Sequence, residues 1–143
     1  MKVDTKEITD GNLDGQVFWV CDFRFNEYSE ATKPLRHVKP TEVIVVCNES
    51  LPKNKTVYYS ESHFLPLNKQ GDPIKSKIIA PFDNTGYRAL TGTPLNIFTD
   101  EAECKSHYKK QCDDIIELLK SRQVKANEFF NSEIKKIKIL REI

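Results

Sequence analysis

Three histidines and four cysteines carry most of the reactive chemistry open to this chain of 143 residues. Cys104, His107 and Cys112 fall at helical spacing on one segment, where Cys21, Cys47 or His63 could complete a metal site with them. Structural zinc draws on paired C-x2–4-C or H-x3–5-H elements, and no C-x-x-C occurs here. Cysteines within apolar stripes also pack as ordinary small hydrophobes, so no residue is assigned to a metal. A catalytic reading would gather Glu61, His63, Asp72 and Asp83 from the loop-rich centre. It has no G-x-S-x-G, no H-E-x-x-H and no phosphate-cradling glycine loop behind it. The expectation is a protein without catalytic residues and without a cofactor.

Recognition is the chemistry that remains. Tyr58, Tyr59, Phe82, Tyr87 and Arg88, with Lys53, Lys55, Lys75 and Lys77, are the types that small β domains use to stack bases above a basic groove. The same alternating aromatics would also serve to fill a core, and a formal net charge of +1 supplies no global basic field. Nucleic acid is therefore the alternative partner and another protein the first. The expected binding set is Tyr58, Tyr59, His63, Phe64, Phe82, Asp83, Asn84, Tyr87 and Arg88, on loops around Phe64, Phe82 and Tyr87. A second surface is expected on the C-terminal tail, at Phe129, Phe130, Ile134, Ile137 and Leu140, where a homodimer or larger homo-oligomer could also be held. Between Lys120 and Arg141 that tail is locally basic: Lys120, Arg122, Lys125, Lys135, Lys136, Lys138 and Arg141 face only Glu128 and Glu133 there.

The elements that must position these residues divide the chain in two. Residues 1–98 read as a β domain with a flexible lead-in at 1–16, which holds a short edge strand at 2–5. Residues 99–143 read as a helical tail. Residues 17–25 (VFWVCDFRF) alternate as a strand, with Val17, Trp19, Cys21, Phe23 and Phe25 on the expected core face. A long polar connection with Pro34 and Pro40 follows over 26–41. Residues 42–47 (EVIVVC) are β-branched and read as a central strand, with a hairpin partner at 56–60. The stretch 61–67 admits a helical turn or an irregular corner, 74–80 fits a strand, and 95–98 closes the β region.

From Thr99 onward neither glycine nor proline occurs. Asp100 with Glu103 has the spacing of a capping box, and acidic residues fill the first turn. Apolar stripes through Cys104, Tyr108, Cys112, Ile115, Leu118 and Leu119, then through Ala126, Phe129, Phe130, Ile134, Ile137 and Leu140, are separated by the polar residues 121–125. The tail is then one helix of about 65 Å or a helix pair. Arg122 and Glu133 interrupt a regular heptad seam.

Three runs carry a family likeness. Residues 57–64 (VYYSESHF), 81–87 (PFDNTGY) and 92–98 (GTPLNIF), before an acidic helix start, resemble small accessory proteins of T4-like tailed phages. The order of elements is also similar to SH3-like barrels with a helical tail. The resemblance implies an α+β fold, with a small antiparallel SH3-like barrel or curled sheet followed by the helical segment. It also implies a host-takeover or counter-defence role, in which a host protein is bound and modulated. No catalytic residue is carried over. With no secretory signal at 1–16 and no apolar run long enough to span a bilayer, no membrane partner is expected. The expected location is cytoplasmic (the host cytoplasm for a viral protein), where thiols stay reduced.

Overall fold

In the computed structural model, residues 1–24, 36–56, 60–82 and 94–142 are described. Among these residues five strands and two α-helices run in the order β1 (Lys2–Val3), α1 (Thr5–Thr9), β2 (Val17–Arg24), β3 (Arg36–Cys47), β4 (Ser62–Pro66), β5 (Asn96–Phe98) and α2 (Glu101–Arg141). The strands form one antiparallel sheet in the order β1-β5-β2-β3-β4. Among the described residues this sheet is open, with β1 and β4 at its edges. The class is α+β, a β region followed by a C-terminal helix.

Both faces of the sheet are covered, which decides how its residues are used. Phe18, Val20, Val43, Val45, Phe64 and Ile97 point to one face and form the main core with Ile8 of α1 and Leu95. The register explains the match, since Phe18 lies opposite Val43, Val20 opposite Ile97 and Val45 opposite Phe64. Each large side chain buried this way contributes about 1.5–3 kcal/mol. The other face carries Trp19, Cys21 and Phe98, packed against Cys104 and Tyr108 of α2. The face of β2 expected to fill the main core therefore lies under the helix instead, and Phe18 and Val20 take the core. Strict alternation of side chains cannot choose between two faces when both are apolar.

The edge strand expected at 2–5 is present as β1, and helix α1 follows where a loose lead-in is expected. Asp4 caps α1, accepting from the Lys6 amide at 3.0 Å, and Ile8 is fully buried. Gly11 ends this segment at φ +75°, and a side chain there would meet Glu61 Cβ at 3.2 Å. The turn thus closes against the start of β4, where the Glu61 amide donates to the Thr9 carbonyl at 2.9 Å.

Three other expectations change. The polar connection at 26–41 gives way to β3 from Arg36. Its register against β2 shifts between Val20 and Asp22, so that Lys39 and Pro40 together face the single residue Cys21. A bulge tolerates proline, which has no amide hydrogen to give the ladder. β3 pairs with β4 at 62–66, within the stretch expected to be a turn or corner; of the expected partner at 56–60, residues 57–59 lie outside the described residues. The strand expected at 74–80 is reduced to one isolated bridge, Phe64 with Ile79, and a second, Leu67 with Pro73, lies just before it.

Candidate functional site

Helix α2 is a single element of 41 residues, about 60 Å long at 1.5 Å per residue. Asp100 starts it, its carboxylate accepting from the Ala102 and Glu103 amides at 3.3 and 3.4 Å. That satisfies two of the amides a helix leaves unpaired at its first turn. No glycine or proline interrupts it, so the polar residues 121–125 remain helical.

One line along α2 runs Cys104, Tyr108, Gln111, Ile115, Leu119, Arg122, Ala126, Phe130, Glu133, Ile137, Leu140. Steps of three and four keep these residues on one face. As far as Ile137 they follow an 11-residue repeat, whose period is close to that of a straight helix, and Gln111, Arg122 and Glu133 fill its polar position. The near half of the line is seated on the sheet. Cys104 is fully buried against Cys21 and Phe98, and Cys21 Sγ donates to the Cys104 carbonyl at 3.6 Å. The contact with Cys104, together with burial, pushes the Cys21 thiol up, so it stays neutral. Tyr108 stacks with Phe23 and His37 at 5.9 Å from each, and its hydroxyl meets His37 Nε2 at 2.6 Å.

Gln111 shows how the polar position works under cover. β5 stops pairing with β2 at Cys21, and beyond it the Phe23 amide donates to Gln111 Oε1 at 3.1 Å. Gln111 Nε2 in turn donates to Asp22 Oδ1 at 3.4 Å. Asp22 is buried and also receives Arg24 Nε at 2.9 Å, with Arg36 Nε at 3.8 Å.

Beyond Ile115, the last buried residue of α2, the described residues leave most of the same face exposed. Phe129, Phe130, Ile134, Ile137 and Leu140 are 60, 59, 51, 63 and 64% exposed, and Ile116, Leu119, Val124 and Ile139 are exposed beside them. Arg122 and Glu133 are half-buried within this stretch, and Glu133 holds Lys136 Nζ at 3.2 Å.

The expected binding loops fare differently. Phe64 is fully buried in β4, opposite Val45 and bridged on its free edge to Ile79. His63 is also fully buried, its Nδ1 bonded to Asn48 Oδ1 at 2.6 Å. Neither presents a surface to a partner, because the strand places them inside. Burial lowers the His63 pKa to about 4, so the ring is neutral. Around it Asn48 donates to the Ser60 carbonyl, Ser60 to the Ser62 carbonyl, and Ser62 to Asp14. This is a satisfied polar network inside the head. Phe82 is half-buried, bridged to Pro94. Tyr58, Tyr59, Asp83, Asn84, Tyr87 and Arg88 lie outside the described residues. Among the described residues no three His, Cys, Asp or Glu side chains converge as a metal site would require. Cys104 instead packs on Cys21, and His107 tilts against Phe98 at 5.4 Å.

Sequence reasoning missed the cluster of Asp22 with Arg24, Arg36 and Gln111. It also missed that one stripe runs unbroken through both halves of α2. The 11-residue spacing of Gln111, Arg122 and Glu133 was the available signal. Among the described residues no helix is long and apolar enough to cross a membrane. No protein-family model, no curated protein and no solved structure matches the chain.

Proposed function

We propose that this protein acts by binding another protein, without chemistry of its own, and that the uncovered half of α2 is its recognition element. The observation that supports this is the row Phe129, Phe130, Ile134, Ile137 and Leu140, each more than half exposed. It continues the face that seats the helix on its own sheet. Exposed apolar surface on this scale is characteristic of interaction sites, and the helix presents it at the spacing of helix-in-groove recognition. The partner this arm suits offers a matching apolar stripe with charge of each sign for Arg122 and Glu133. The resemblance to phage accessory proteins adds a host protein as the target that the assembled molecule modulates.

The test is a tagged full-length chain drawn from lysate after nuclease treatment, beside Ile137→Asp and Phe130→Asp. The expected result is a discrete protein complex that both substitutions abolish while the β head stays folded. Retention that the substitutions leave unchanged contradicts the proposal. Loss on nuclease treatment, with binding to DNA that falls steeply with salt, would favour nucleic acid held by Lys135, Lys136, Lys138 and Arg141.

A further inference from the structure

We infer that the occupant of the uncovered stripe is a second copy of this chain, its α2 laid antiparallel with Arg122 opposite the second copy's Glu133. This rests on the reading of α2 as a protein-docking element and names its partner. From Ile115 the stripe reads Ile115, Leu119, Arg122, Ala126, Phe130, Glu133, Ile137, Leu140. Read backwards against itself, it matches at every position. Ile115 meets Leu140, Leu119 meets Ile137, Arg122 meets Glu133 and Ala126 meets Phe130, and a two-fold axis repeats each pair.

Apolar side chains face apolar ones, the two charges neutralise one another, and the one small residue lies opposite the largest. A parallel pair would set Arg122 on Arg122, Glu133 on Glu133 and Phe130 on Phe130. Like charges at a seam are destabilising and are a means by which helices reject a wrong alignment. The ends of the arm favour the same direction. Asp113, Asp114 and Glu117 lie at its start, and Lys135, Lys136, Lys138 and Arg141 at its finish.

The register also agrees with the coverage of the helix. It brings Leu140 of the second copy to Ile115, which is where burial of α2 by its own head ends. The overlap therefore spans the length of α2 that the described residues leave exposed. The polar positions of the repeat then lie in consistent surroundings, Gln111 against the Asp22 strand end and Arg122 and Glu133 facing each other beside the contacts they already make within the chain. The dimer carries its two β heads at opposite ends of a helix pair, with the two Ile115 positions about 40 Å apart. It would present two copies of whatever surface the heads offer.

The experiment is sedimentation equilibrium of the full chain at micromolar concentration, with Arg122→Glu, Glu133→Arg and the double variant. The wild type is expected at twice the 16.5 kDa protomer mass. Each single charge reversal is expected to weaken association at least tenfold, and the double variant to restore it, since the two charges merely exchange places. Unchanged far-UV circular dichroism of the head controls for folding. A dimer that the double variant fails to restore overturns the antiparallel register. A wild-type monomer overturns self-pairing. If lysate complexes of that monomer are still lost in Phe130→Asp, the docking reading survives, and if they persist, it falls as well.

Discussion

The two halves of α2 carry the same stripe and meet opposite fates. From Cys104 to Ile115 the sheet covers it, so a thiol, a tyrosine and a glutamine suffice there: packing area and two backbone-directed hydrogen bonds fix the helix. From Leu119 to Leu140 nothing in the described chain covers it, and the residues are larger and more apolar, with two phenylalanines, two isoleucines and two leucines on or beside the line. A helix end that served only as a solvated extension would be polar all round. The difference teaches that the near half is anchored by fit to its own fold, whereas the far half is left exposed by the described residues, as the proposed docking role requires.

That contrast can be broken in order of expected effect. Phe98→Ala removes the aromatic floor beneath Cys104 and is expected to cost about 4 kcal/mol, read from denaturant unfolding. Asp22→Ala withdraws the buried carboxylate shared by Arg24, Arg36 and Gln111, and is expected to cost about 3 kcal/mol in the same assay. Acid should act on the head through His63. His63 titrates at 6.5 when unfolded and at about 4 when folded, so between those values the unfolded chain binds a proton that the folded chain refuses. Stability is then complete above pH 6.5 and falls by about 3 kcal/mol as pH drops towards 4. His63→Gln should flatten that slope. At the small end, Phe130→Ala and Ile137→Ala should shift protomer unfolding by no more than about 0.5 kcal/mol at concentrations where the chain is monomeric. A larger loss there would mean that the far half packs on its own head.

Much of this architecture was legible in the residues. Asp100 and the acidic turn after it mark the start of α2, because few other sequences satisfy the first amides so economically. The absence of glycine and proline marks its extent, but the polar residues 121–125 hid its continuity. β2 was legible as a strand, yet its core face was not: alternation reports two apolar faces and is silent on which one a distant helix will cover. The first half of β3 was hidden by its own polarity and by Pro40, which a bulge accommodates. β4 was the hardest, since SHFLP holds a serine and a histidine in a fully buried strand. Partners such as Asn48, from the turn after β3, and Asp14, from the N-terminal segment, make that burial tolerable, and neither is adjacent in sequence. The tail residues lie exposed on α2, a placement that follows from helical spacing directly.

Hydrogen exchange along α2, compared among the wild type, Arg122→Glu and the double reversal Arg122→Glu/Glu133→Arg, tests the central claim most directly. Self-pairing predicts that amides at 119–140 are protected in the wild type, exposed in the single variant and protected again in the double, while those at 104–115 stay protected in all three. Identical exchange at 119–140 in all three chains would contradict it.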